Sequence, residues 1–300
     1  MSGVAEKVVL LGAGKTVVSI VTQPVRSADD GRPAVVVLNT GIIHRIGHNR
    51  MYVTLARELA ELGHVVLRLD QSGLGDSAPR PDVVDPLHAG LADISDAIDW
   101  LVAKGSKSVV LLGLCSGADF TIAYAGRDPR VVGAVLMDPS IPPTTRYRLN
   151  AIGARLMRGE AWTNLFRGRG RVWKIVTRQN AKPTTGEWAP SQLSFDDPQV
   201  RAFFEKAYGD AVDAGNQILA IFTGGLKYQH NYKRQLLDAM PNVRFGKQLH
   251  LEYFASCDHT FTFLEDRRRM FDKVKAWLST TEFRVPDAQV LAERALKPTS

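Results

Sequence analysis

The residues best suited to chemistry lie in Gly113-Leu114-Cys115-Ser116-Gly117, inside the stretch SVVLLGLCSGAD. An apolar, β-branched run ends at Leu114, and a helical pattern through Phe120, Ile122 and Ala123 follows at once. The Cys115 thiol therefore falls on a strand-to-helix turn, the layout of a G-x-S-x-G nucleophile motif with sulfur in place of the hydroxyl. Glycines two before and two after leave room for such a turn, because a side chain there would collide with neighbouring backbone. Moving the frame to Ser116 would put Leu114 and Ala118 at the flanking positions, and leucine fits poorly, so Cys115 is the better nucleophile. A thiol at a helix N-terminus also gains from the helix dipole, which favours thiolate. A buried structural cysteine in a glycine-rich turn is the competing reading.

Partners for that sulfur lie far away in sequence. Ser256-Cys257-Asp258-His259-Thr260-Phe261 follows a predicted strand and precedes a predicted helix, which makes His259 the candidate base. The other histidines, His44, His48, His64, His88, His230 and His250, lack this context. After another strand comes Asn39-Thr40-Gly41-Ile42, whose backbone N–H at Gly41 or Ile42 can form an oxyanion hole with the N–H of Ser116. Cys257 shares the histidine loop and can approach Cys115, although a reducing cytoplasm disfavours a bond between them.

Two other motifs fail. Gly12-Ala13-Gly14-Lys15-Thr16 resembles the end of a phosphate-binding loop, but Val9 stands where the earlier glycine belongs and a β-branched run replaces the helix. It also fails as a dinucleotide fingerprint, because Val17 replaces the third glycine. His44 and His48 have metal-ligand spacing, but no Glu follows His44, Gly47 weakens the helix and no third ligand stands out. No metal or cofactor is expected.

These side chains need elements to hold them. Strand-like runs recur at Thr16–Thr22, Ala34–Leu38, His64–Leu69, Ser108–Leu114, Val131–Met137, Gln217–Phe222 and Gln248–Phe254. Most are continuously apolar, as in strands covered on both faces. Helical spacing links Tyr52, Leu55, Ala56, Leu59 and Leu62, then Leu87 through Leu101, and finally Phe271, Val274, Trp277 and Leu278 behind the basic Arg267–Arg269. Alternation of this kind predicts an α/β fold, a mostly parallel sheet with helices on both faces. The runs near Val8 and Val17 read as an antiparallel hairpin.

Composition agrees with a folded chain: of 300 residues, 45% are hydrophobic and 23% charged, too apolar for a disordered protein. A chain this long buries roughly three quarters of its unfolded surface. No apolar run is long enough to span a bilayer and the two cysteines make no disulfide framework, so neither a signal peptide nor a membrane span is expected, and a cytoplasmic protein is. The net charge of +7 is concentrated: ten basic residues between Ser140 and Lys182, Arg167, Arg169 and Arg171 among them, face only Glu160. Such a basic segment can attract nucleic acid, anionic lipid or an acidic protein, or be a solvated helical face, and it breaks the strand–helix alternation. Residues 1–139 and 216–280 are thus expected as the core, 140–215 as a basic inserted lid, and 281–300 as a helical tail.

The combined pattern resembles the α/β-hydrolase superfamily. LRLDQSGLGDS resembles its D-x-x-G-x-G-x-S loop and DHTF its histidine segment. HRIGHNRMYVTLARELAELGHVVLRLDQSGLGDS with GLCSGAD resembles hydrolases associated with exosortase systems, which also tend to have cysteine at the turn. The resemblance implies a Cys115–His259 pair and an acid to orient it. Many relatives carry that acid after the strand ending here at Phe222-Thr223-Gly224-Gly225, but Leu226–His230 contains no carboxylate. Asp138, after the strand that follows Cys115, occupies the alternative position used by some lipase relatives. Asp258 is badly placed to orient the adjoining histidine, and Asp76 and Asp119 read as structural.

By resemblance to dienelactone hydrolases and polyhydroxyalkanoate synthases, the expected chemistry is hydrolysis of esters or thioesters through an acyl-thioenzyme. Transfer of an acyl group from coenzyme A or an acidic acyl-carrier protein to an amine or alcohol is the alternative. A non-catalytic binding protein on the same fold is the third reading. Nucleic acid is not an expected partner.

Overall fold

The computed structural model describes residues 3–12, 14–25, 31–83, 85–157, 195, 197–226 and 229–286. Within them, one sheet is built from β1 (Val4–Leu11), β2 (Val17–Pro24), β3 (Ala34–Val37), β4 (Val66–Leu69), β5 (Val109–Leu114), β6 (Val131–Met137), β7 (Gln217–Thr223) and β8 (Leu249–Phe254). The spatial order is β1-β2-β4-β3-β5-β6-β7-β8. β1 and β2 form the antiparallel hairpin, β2 meets β4 antiparallel, and the pairings from β4 through β8 are parallel.

The apolar runs of the central strands have a direct cause, since successive side chains point to opposite faces and both faces are covered. Val36 and Leu111 join a core beneath α2 (Pro86–Ala103) and α3 (Ser116–Ala125). Val35, Val37 and Leu112 join a second core beneath α1 (Met51–Glu61) and the C-terminal helix Leu264–Thr280. Each fully buried Val or Leu contributes about 1.5–3 kcal/mol of transfer free energy. β5 and β6 are buried along their whole length, so the turns at their C-terminal ends rest on a part of the sheet covered on both faces.

Three expectations about the later chain need revision. The segment expected as a lid contains α4 (Thr145–Met157) and α5 (Pro198–Asp213), and α5 belongs to the core. Phe204, Ala207, Tyr208 and Ala211 of α5 are buried in the α2–α3 cluster, and Gly126 lies so close to Asp210 that a Cβ would clash. Most of the basic stretch, including Arg167, Arg169 and Arg171, lies outside the described residues. After α6 (Gln235–Ala239), α7 (Leu264–Thr280), the last helix among the described residues, includes Arg267–Arg269, because Met270, Phe271, Val274 and Trp277 supply its buried face. Residues 281–286 of the expected helical tail carry no helix: Phe283 packs edge-on to Trp277, and Arg284 donates to the Val131 carbonyl. The rest of that tail is also outside the described residues. Among those described, no helix is long and apolar enough to cross a membrane.

Candidate active site

Parallel strands bring their C-terminal ends to one edge of the sheet, and the loops there hold Asn39–Ile43, Cys115, Asp138, His230 and His259. Cys115 sits between β5 and α3 at φ 58°, ψ −122°, a region that non-glycine residues rarely occupy. Its N–H continues the ladder to the Met137 carbonyl at 2.9 Å, and its own carbonyl accepts from Ala118 and Asp119 to start the helix. The flanking glycines are needed for close approach: a Cβ on Gly113 would run into Gly117, and one on Gly117 into the Asn39 carbonyl. Cys115 is a partly exposed free thiol.

Asp138 follows β6 with φ 44° and a fully buried carboxylate. One oxygen accepts from the Thr223 N–H at 2.7 Å and faces His230 Nε2 at 3.1 Å. The other accepts from the Thr223 hydroxyl at 2.7 Å and faces His259 Nδ1 at 2.8 Å. Burial alone would raise this carboxyl's pKa, but hydrogen bonds from His230, His259 and Thr223 more than offset it and hold it below its ordinary value. Burial works against a charged His259, yet hydrogen bonds with Asp138 and the Cys115 side chain prevail and push it up to about 9. The histidine loop reaches this position because Gly224 and Gly225 carry no side chains, which would collide with the Ala255 carbonyl and the His259 backbone.

The loop after β3 is braced from below. Buried Asp70 accepts from the Asn39 amide at 3.2 Å, the Arg45 N–H at 2.5 Å and the Asp76 N–H at 3.0 Å, and pairs with the Arg45 side chain. Gly75 leaves the space that the carboxylate fills, and Ser77 donates to the Asp70 carbonyl at 2.7 Å. The D-x-x-G-x-G-x-S segment thus acts as a strut, with exposed Asp76 on its rim pairing with Arg45. One expectation needs correcting here. The Gly41 N–H donates to the Ser116 hydroxyl at 2.7 Å and is not free for an oxyanion. That leaves the N–H groups of Ile42 and of Ser116, which heads α3 where helix geometry supplies no partner.

The structure brings Cys115, His259 and Asp138 together, with Ser116, Gly41 and Ile42 alongside. It also adds residues that sequence reasoning passed over. His230 is buried against Asp138, 92 positions away, and no local pattern marks that contact. His48 is half-buried near His259; burial and that second ring's charge lower its pKa. It follows Gly47 at φ 70° and precedes Asn49 and Arg50 at φ 49° and 59°, an unusual run of positive angles beside the site. Among the described residues, no group of three or more His, Cys, Asp or Glu is placed to hold a metal ion. Cys257 is a buried free thiol that donates to the Asp258 carbonyl, and burial pushes its pKa up. Asp258 accepts from the Thr262 N–H, and Asp119 accepts from Ser140, so neither orients His259.

Comparison with known proteins fits this geometry. The profile of the family described as serine aminopeptidase, S33, matches residues 32–206, more than half of the chain. A polyketide transferase of Penicillium is 33% identical over 95 residues, which make up 30% of this chain and 32% of that protein. The chain spans only about a quarter to a third of the curated relatives it matches. A hypothetical protein of Pseudomonas aeruginosa superposes with a TM-score of 0.59 at 16% identity, covering 93% of this chain and 94% of that one. A meta-cleavage product hydrolase of Pseudomonas fluorescens superposes with a TM-score of 0.53 at 19% identity, over 91% and 97% of the two chains. The architecture is the α/β-hydrolase fold.

Proposed function

The chain belongs to the serine aminopeptidase, S33, family of α/β-hydrolases, and on that premise we propose an acyl-transfer enzyme that hydrolyses an ester or thioester through an acyl-thioenzyme on Cys115. The observation that carries this reading is the strained Cys115 turn beside His259, whose Nδ1 bonds to Asp138 at 2.8 Å. The family's description names serine, and this chain has cysteine at the turn. The adjacent Ser116 hydroxyl accepts from the Gly41 N–H and is nearly buried, which favours sulfur as the nucleophile.

In this mechanism His259 takes the Cys115 proton on Nε2, since Nδ1–H is committed to Asp138. The thiolate attacks the acyl carbonyl, and the N–H groups of Ser116 and Ile42 stabilise the oxyanion, each worth about 3–4 kcal/mol of barrier. The tetrahedral intermediate collapses, the C–O or C–S bond to the leaving group breaks, and the His259 imidazolium protonates the departing alcohol or thiol. Water, deprotonated by His259, then attacks the thioester, and Cys115 leaves with its proton restored.

Transfer to an amine or alcohol in place of water is a second reading, favoured by the local likeness to a polyketide transferase. The basic segment holding Arg167, Arg169 and Arg171 then becomes a proposed dock for an acidic acyl-carrier protein. The exosortase-associated subgroup is a narrower likeness, carried by the β3–β4 and Cys115 segments, and the mechanism does not depend on it.

Intact-protein mass spectrometry after mixing with a panel of acyl thioesters and esters tests the proposal. One acyl mass is expected on the protein, mapped to Cys115 by digestion and absent from Cys115→Ala. Persistence in water with release by an added amine or alcohol selects the transferase reading. Unchanged turnover in Cys115→Ala refutes both.

A further inference from the structure

Asp138 holds a second imidazole for which the mechanism above has no use. His230, in the loop after β7, approaches one carboxylate oxygen with Nε2 at 3.1 Å while His259 holds the other. The two rings differ in exposure: the His230 side chain is 1% exposed and that of His259 22%. His230 is fixed from two sides, edge-on to Phe222 with ring centroids 4.9 Å apart and to Tyr253 at 6.4 Å. Its Nδ1 is buried and has no hydrogen-bond partner among the described residues.

An ionised carboxylate only accepts hydrogen bonds, so the ring nitrogen facing it carries the proton. The Nε2–H of His230 therefore donates to Asp138. We propose that His230 is a positioning residue that fixes the Asp138 carboxylate through its Nε2–H, so that the opposite oxygen stays on His259 Nδ1–H throughout the reaction. This rests on the Cys115–His259 reading given above. The physical need is plain: Asp138 follows its strand at a positive φ with no solvent contact, so protein donors fix which way its two oxygens face. Thr223 supplies two of them from β7, and His230 supplies a third from the loop beyond. The titratable groups facing His230 are Asp138 and, from β8, Tyr253. Those around His259 are Asp138, Cys115, His48 and the neighbouring Asp258.

The test is the pH profile of Cys115 alkylation by iodoacetamide in the full chain, read with imidazole 1H–15N NMR titrations. His230→Phe keeps a ring and removes the donor, while His230→Gln places an amide N–H near the Nε2 position. The phenylalanine variant is expected to lower the His259 midpoint by about one unit and to slow alkylation at neutral pH about tenfold, with glutamine restoring most of both. A His259 midpoint unchanged in His230→Phe, or glutamine performing no better than phenylalanine, overturns the proposal. If the phenylalanine variant does not fold, the wild-type spectrum decides: a proton on Nε2 supports the proposal, and a bare Nε2 overturns it. His259→Ala separates the two levels. If it leaves the alkylation profile unchanged, the Cys115–His259 reading falls and takes this proposal with it. If it changes the profile while His230→Phe does not, only the role of His230 is lost.

Discussion

Asp119 and Asp138 are both buried, and each accepts from one backbone N–H and one hydroxyl of a single residue. Ser140 donates to Asp119 at 2.8 and 2.7 Å, and Thr223 donates to Asp138 at 2.7 and 2.7 Å. Their acidities nevertheless move in opposite directions. Burial pushes Asp119 up to about 7 against the Ser140 bonds, while Asp138 sits below its ordinary value. The difference is the pair of imidazoles on Asp138. With an N–H and a hydroxyl alone, burial still raises the carboxyl; two ring donors added to them bring it below its ordinary value. Asp119 therefore ties the first turn of α3 to the chain after β6, and Asp138 is the one able to stabilise an imidazolium.

Three substitutions press on this contrast, from the largest expected effect to the smallest. Asp138→Asn keeps size and tolerates the positive φ, but its amide cannot accept from both rings, so His259 loses the tautomer that leaves Nε2 free. The rate of Cys115 acylation, followed by mass spectrometry, should fall by roughly three to four orders of magnitude. A loss below tenfold would mean that Asp138 does not orient His259. Thr223→Val removes one of the four donors at nearly constant shape, worth about 1 kcal/mol. The same assay should slow about fivefold, and an unchanged rate would show that the hydroxyl is redundant. Asp119→Asn should leave acylation almost untouched and change only the dependence of stability on pH. A carboxyl raised from its unfolded value to about 7 binds more protons folded than unfolded, so its contribution falls as pH rises towards 7 and is constant above. Urea unfolding at pH 5 and pH 8 should therefore show the wild type losing more stability than Asp119→Asn over that interval. Equal losses would remove the contrast between the two acids.

Much of this arrangement is legible in local sequence. The glycines around Cys115 mark a turn whose crowding is local, and the structure shows both to be needed for close backbone approach. The apolar runs mark strands, because a strand covered on both faces has no polar side to reveal. His259 stands out by its place between a strand and a helix. His230 does not, since its partner is 92 positions away and its burial depends on Phe222 and Tyr253 from two strands. The capture of the Gly41 N–H by Ser116 is equally silent, because it depends on where β3 lies relative to α3. The core role of α5 is also silent in the sequence, because the helix follows a basic stretch that breaks the strand–helix alternation, while its apolar face completes the core.

What the sequence determined by itself was the run of strands in the sheet and the turn that presents a thiol, since both follow from periodicity and steric limits within a few residues. Tertiary structure decided which donors share Asp138 and which backbone N–H groups remain open. Those outcomes depend on the order and register of strands distant in the chain, and the pairing of β6 with β7 and of β7 with β8 sets Thr223, His230 and His259 around one carboxylate.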